Sequence, residues 1–238
     1  ALYDYIGATL LKAGKGGCYT FAEGYEQLTA VPASLEDGTM LAAERYGDVR
    51  VMFYNLFGGT DGEAGSSSVR LGFQIDIFAT YLPDVLGLQE CSPPRYWGIG
   101  IAERLSDLGY TEVPTSRGTD NFTPLFYRAD RLTLVESGHF LYANGDDADS
   151  KGVTWAVFAD RETGSRFVVV NTHFMYDLTV LNSNREDRVK NAGEILSLFA
   201  ELETEYGEIP IIMGGDLNDT VDGDPLVLLV QGGLTDAF

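Results

Sequence analysis

Apolar residues recur along residues 49–238 in two rhythms, an alternation or short continuous run and a three-to-four-residue repeat. Val49-Arg50-Val51-Met52-Phe53-Tyr54-Asn55 is rich in β-branched and aromatic side chains and predicts a strand. After a glycine-punctuated loop, Val69, Phe73 and Ile77 fall at i, i+4 and i+8 behind a serine cap, which predicts an amphipathic helix ended by Pro83. Asp84-Val85-Leu86-Gly87-Leu88-Gln89 is nearly continuous in apolar character, as in a strand covered on both faces. A second helix is predicted from Ser92-Pro93-Pro94 to Gly109, with Trp97, Ile101, Leu105 and Leu108 along one side.

The middle of the chain reads as β structure. Leu125–Tyr127, Leu132–Val135, Val153–Phe158 and Phe167–Val170 are predicted strands, and Thr163-Gly164 turns the chain between the last two. A long helix follows over about Ser183 to Tyr206, striped by Val189, Ala192, Ile195, Leu196, Phe199 and Leu202. Pro210–Met213 is another buried strand, and Pro225–Val230 a short helix. The order β-α-β-α-β-β-β-β-α-β implies two sheets packed face to face with helices outside, an α+β layered sandwich. Residues 1–48 differ: they are glycine-rich (Gly14, Gly16, Gly17, Gly24) and carry only short periodic runs.

Composition narrows the function classes. The chain of 238 residues holds 36 Asp plus Glu against 16 Lys plus Arg, a formal net charge of −20. Duplex nucleic acid is bound chiefly by cations that displace counterions from phosphates, so this balance favours a small molecule or a lipid headgroup over nucleic acid. Cys18 and Cys91 make neither a disulfide framework nor a zinc site. No apolar run approaches the ~18 residues that span a bilayer. The compartment is left open, since a signal peptide removed before the numbering begins is compatible with the sequence.

Polar side chains gather at the predicted strand ends: Asn55, Gln89-Glu90, Asn171-Thr172-His173 and Gly214-Gly215-Asp216-Leu217-Asn218. Each alone has an ordinary explanation as a turn residue or a solvated terminus. Strand ends on one edge of a sandwich converge, however, and would bring two carboxylates, amides and an imidazole to one rim. Hard oxygen donors of this kind suit Mg²⁺. A nearby Asp can position or deprotonate water, and a His can contact or protonate phosphate oxygens.

The segments V-R-V-M-F-Y-N, P-D-V-L-G-L-Q-E, V-V-N-T-H-F and I-I-M-G-G-D-L-N resemble four successive motifs of the endonuclease/exonuclease/phosphatase superfamily, over residues 49–238. T-P-L-F-Y-R-A-D-R-L resembles the strand-turn-strand between the second and third. The resemblance implies a four-layer α/β/β/α sandwich of two mixed, mainly antiparallel sheets, and metal-dependent hydrolysis of a phosphoester substrate. It implies that Glu90 binds Mg²⁺ (or Mn²⁺ or Ca²⁺ in its place) with Asn55 beside it. His173 would contact the scissile phosphate, and Asp216 and Asn218 would orient the nucleophilic water and a phosphate oxygen. Arg188 is expected to be structural or on a solvated face, and His139, between strands, to be structural.

The sequence departs from the resemblance at its end. The superfamily continues into a Ser-Asp-His motif, whereas this chain stops at Phe238 and its histidines are His139 and His173. Two readings follow: a hydrolase impaired by lack of the terminal acid/base pair, or a non-catalytic relative that keeps the fold as a binding module. Leu2-Tyr3-Asp4, Gly14–Phe21 and Glu26-Gln27-Leu28-Thr29 resemble the missing final stretch placed at the opposite end. The expectation is a circular permutation, in which Cys18–Phe21 and Gln27–Val31 form a hairpin paired into the sheet of Pro210–Met213. The alternative is an N-terminal extension or the remnant of a preceding domain.

Overall fold

The computed structural model describes residues 49–58, 66–143, 150–176, 185–220 and 222–235. The strands are β1 (Val51–Asn55), β2 (Val85–Gln89), β3 (Tyr110–Glu112), β4 (Leu125–Arg128), β5 (Leu132–Leu141), β6 (Gly152–Asp160), β7 (Arg166–His173) and β8 (Ile211–Asp216). The helices are α1 (Ser67–Tyr81), α2 (Ile101–Asp107), α3 (Arg185–Tyr206) and α4 (Asp224–Gln231). The two sheets run β1-β2-β4-β3 and β5-β6-β7-β8. The β1–β2 and β7–β8 pairs are parallel and the other four antiparallel, so both sheets are mixed and mainly antiparallel.

Three apolar clusters define four layers. One lies between α1, α2 and the first sheet and includes Leu71, Phe78, Leu86, Leu88 and Ile101. Another lies between α3, α4 and the second sheet, around Val157, Val170, Ile195 and Phe199. The third, with Val85, Leu125, Phe158 and Val169, fills the space between the sheets. The expected α/β/β/α sandwich is therefore the architecture. Among the described residues no helix is long and apolar enough to cross a membrane.

Several local expectations change. On α1 the apolar stripe is displaced: Val69 and Phe73 are 55% and 44% exposed, while Arg70, Leu71, Gln74, Ile77 and Phe78 are buried. Arg70 and Gln74 occupy the inner face because they donate hydrogen bonds to main-chain carbonyls there, which removes the cost of burying them. The second helix does not begin at Ser92. That stretch is turns and one 3₁₀ turn at Trp97–Ile99, broken by Gly100 at φ 86°, and only Ile101–Asp107 is α-helical. A short strand, β3, follows Gly109 and was not predicted. β5 is also longer than expected and contains His139, since a register shift between Leu134 and Glu136 lets pairing with β6 continue to Leu141. β7 and β8 extend through His173 and Asp216, so these two residues end the strands from within and pair in register.

The expected start of the long helix at Ser183, the acidic loop Asp146-Asp147-Asp149, and the whole of residues 1–48, with Cys18 and the proposed hairpin, lie outside the described residues.

Candidate active site

Small residues let the two sheets approach where the site forms. At Gly214 of β8 an added Cβ would stand 2.2 Å from the Phe53 ring of β1. At Gly87 of β2 it would stand 2.7 Å from Phe53 and 2.9 Å from the Asn171 amide. Asn171 uses that space to cross the core. Its Nδ2 donates to the carbonyls of Leu88, Thr123 and Pro124 at 2.8, 3.0 and 3.0 Å, and its Oδ1 accepts from Gln89 Nε2 at 2.7 Å. The carboxyl end of β2 is thus tied to that of β7, and Glu90 follows one residue after Gln89.

The strand-end residues meet on this rim. Asn55 Nδ2 donates to Glu90 Oε1 at 3.0 Å and to Asp216 Oδ2 at 2.8 Å, so one amide nitrogen bridges two carboxylates. Asn55 Oδ1 accepts from the Phe57 N–H at 2.9 Å, which fixes the amide in this orientation. Glu90 Oε2 accepts from the Gly58 N–H at 2.6 Å. Asp216 Oδ1 accepts from the Asn218 N–H at 2.9 Å, while Asn218 Nδ2 donates to the Phe174 carbonyl at 2.8 Å. His173 Nε2 lies 3.8 Å from Asp216 Oδ2. Glu90, His173 and Asp216 each offer a ligand atom within 4.8 Å of the others. All five residues singled out in the sequence therefore come together.

The sequence reading missed the residues that hold this rim in place. The loop after β1 is tied down by the buried face of α1 and by Tyr96. Gln74 Nε2 donates to the Leu56 carbonyl at 3.0 Å, Arg70 to the Phe57 carbonyl at 3.2 Å, and the Tyr96 hydroxyl to both carbonyls. This positions the Gly58 N–H on Glu90. Periodicity gave no sign of it, because it marks apolar faces and these anchors are polar.

Lys151 is the other omission. Lys151 belongs to none of the motifs in the sequence, yet it is only 4% exposed. Its Nζ lies 2.6 Å from His173 Nε2 and 3.2 Å from Nδ1, and 5.1 Å from the centre of the Tyr176 ring. Burial, reinforced by the Lys151 charge, holds the His173 imidazole well below its usual pKa and therefore neutral. The one signal available was position: a lysine standing directly before a strand that is buried along most of its length.

The other two expectations divide. Arg188 is buried and pairs with Asp219, Nε to Oδ2 at 2.8 Å, so the solvated-face reading does not hold and the structural one does. His139 sits inside β5, where burial and the charge of Arg117 lower its pKa to about 4.

No protein-family profile and no curated sequence matches the chain. Solved structures do. The mannosyl-6-phosphatase Bt3783 of Bacteroides thetaiotaomicron aligns with a TM-score of 0.63 at 22% identity, covering 78% of this chain and 71% of that one. An endonuclease/exonuclease/phosphatase from Bacteroides vulgatus aligns at 0.60 and 24% identity, covering 77% and 70%. Danio rerio TDP2 complexed with a single-strand DNA product aligns at 0.56 and 18% identity, covering 79% and 66%. At these identities the likeness is one of architecture, and the chain has the endonuclease/exonuclease/phosphatase fold.

Proposed function

We propose that this chain is a metal-dependent phosphoester hydrolase of the endonuclease/exonuclease/phosphatase type, in which water attacks a phosphate held at the rim formed by Asn55, Glu90, His173, Asp216 and Asn218. One observation carries the reading: a single amide nitrogen of Asn55 holds the Glu90 and Asp216 carboxylates together. Two carboxylates gathered this closely repel unless a cation compensates them, and their oxygens are hard donors that fit Mg²⁺, or Mn²⁺ or Ca²⁺ in its place. Glu90 would hold the ion and Asn55 would stand beside it, bridging the two carboxylates at a fixed spacing. When bound, the ion neutralises charge on the phosphate oxygens.

The chain's own residues supply the rest. Asp216 has one oxygen fixed by the Asn218 N–H and the other turned to the shared rim, so it is the acceptor for a proton of the attacking water. Asn218 positions Asp216 and braces the end of β7 through Phe174. His173, kept neutral, accepts a hydrogen bond from the Lys151 ammonium. Lys151 thus brings a fixed positive charge to the place where phosphate oxygens would lie. The net charge of −20 supports a small-molecule or lipid-headgroup phosphoester over nucleic acid, although the fold serves both a mannosyl-6-phosphatase and a DNA-bound TDP2.

A second reading, a metal-binding module without turnover, is favoured by the neutrality of His173, which leaves no protonated imidazole for the leaving group. Calorimetry with Mg²⁺ and turnover of bis(p-nitrophenyl) phosphate separate the two. The hydrolase reading expects binding that Glu90→Gln weakens, and hydrolysis that Asp216→Asn slows by about 10²-fold or more. Binding without hydrolysis assigns the module. No binding by the unsubstituted chain removes both.

A further inference from the structure

β1 and β8 are terminal strands of their sheets, and they lie on the same side of the sandwich, in contact through Phe53 and Gly214. The Pro210 carbonyl accepts from the Val168 N–H, and the Asp216 carbonyl from the Phe174 N–H. In a parallel ladder successive residues point their backbone groups to opposite sides, so those of Ile211, Met213 and Gly215 point away from β7. The same alternation turns Val51, Phe53 and Asn55 away from β2, since Leu56 donates to Gln89 and Arg50 accepts from Val85. Among the described residues, β1 pairs only with β2 and β8 only with β7.

The side chains record the same opening. In the inter-sheet core Val85, Leu125, Phe158 and Val169 are buried, but Val49, Val51, Phe53 and Ile212 on the β1/β8 side are only partly covered. On the outer face of β8, Ile211 and Met213 are likewise only partly covered. A half-apolar edge whose outward amides pair with none of the described residues is a template for further pairing, and native proteins cover such edges.

We propose that residues 1–48 are the cover: a hairpin of Cys18–Phe21 and Gln27–Val31 adds to the sheet along the free edge of β8 and shields the neighbouring edge of β1. The chain itself argues for this occupant. The segment runs directly into β1, so a strand within it is presented to the edge at an effective concentration on the order of millimolar, which a separate partner must match in free concentration. In an extended chain Tyr19 and Phe21 would share one face of Cys18–Phe21, and Leu28 and Ala30 one face of Gln27–Val31; both segments approach the length of β8, with Gly24 between them.

Hydrogen exchange of the intact chain, resolved by residue, tests this. The amides of Ile211, Met213 and Gly215 are expected to exchange at least about 10³-fold more slowly than unstructured amides, at rates independent of protein concentration. The amides of Tyr19–Phe21 and Leu28–Ala30 should share that protection. Leu28→Pro in the full chain should abolish it at β8 while β6 and β7 stay protected. Unprotected β8 amides overturn the proposal. So does protection that appears only as the chain dimerises, which assigns the edge to a second copy. Fast exchange over residues 18–31 in the unsubstituted protein overturns it as well, even if Leu28→Pro fails to fold.

Discussion

Replacing Asn171 by alanine removes a side chain that fastens β7 to β2 and to the segment before β4. Asn171 is fully buried, and its amide meets three carbonyls and one amide donor. An NH₂ group has two hydrogens, so three carbonyls share them, and with the Gln89 bond the effective number is about three. At about 1 kcal/mol net for each, the hydrogen bonds contribute about 3 kcal/mol. Two groups are cushioned, since the Pro124 carbonyl keeps its bond from the Leu88 N–H and Gln89 Nε2 keeps the Gly87 carbonyl. The vacated volume adds to the loss, for a total of about 3–4 kcal/mol. With an m-value near 3 kcal/mol/M for a chain of this size, the urea midpoint should fall by about 1 M. A shift below about 0.3 M would refute the assignment of Asn171 as the inter-sheet tie. Asn171→Asp adds a test by pH. A carboxylate facing three carbonyls in the core has its folded pKa raised above the unfolded value of about 3.9. The deficit relative to the parent protein should therefore be smallest near pH 4 and widen as pH rises through the raised value. A gap constant from pH 4 to 7 would show that the position is wet.

Breaking the Arg188–Asp219 pair leaves a charge with one-ninth of its side chain exposed, so Arg188→Met should cost about 3 kcal/mol, and adding Asp219→Asn should recover part of it in a double-mutant cycle. His139, with a folded pKa of about 4 against 6.5, stays neutral in the fold while the unfolded chain takes up a proton, so stability is lost as pH falls from 6.5 toward 4. The ring is part-exposed, which reduces the loss to about 1–2 kcal/mol, and His139→Gln should flatten the acid limb of a midpoint-versus-pH curve by that amount.

The sequence made the sandwich legible because its strands are short runs of apolar, β-branched and aromatic residues that end in polar ones, as in β1 and β2. It also located the rim, since Asn55, Glu90, His173, Asp216 and Asn218 all stand at the ends of such runs. What it hid was the polar support. Arg70 and Gln74 were passed over in favour of Val69 and Phe73 because a helix buries whatever satisfies its surroundings, and the surroundings here are the carbonyls of Leu56 and Phe57. Asn171 was grouped with the rim by its place beside His173, yet it points into the core. Lys151 was invisible for the opposite reason, since a lone lysine before a strand is ordinarily a solvated terminus. Neither its burial nor its contact with His173 follows from any spacing.

The backbone of the rim gives a separate reason to regard it as a site. Phe57, Glu90 and Asn218 have φ of 62°, 57° and 51°, in the left-handed region that costs a non-glycine residue about 1 kcal/mol or more. Each stands within two residues of the end of β1, β2 or β8. At Glu90 the left-handed turn departs from the alternation of β2 and brings the carboxylate to Asn55 and the Gly58 N–H. Glycine would make the same turn without strain, so the carboxylate is kept against a backbone cost. Two variants that both delete it isolate that cost. In an ordinary extended segment glycine is less stable than alanine by about 0.5–1 kcal/mol, through the entropy of the unfolded chain. Here the order should invert, with Glu90→Gly more stable than Glu90→Ala by about 1 kcal/mol in urea unfolding. If Glu90→Ala proves the more stable of the two, the turn is unstrained, and the carboxylate sits at the rim by default of strand geometry.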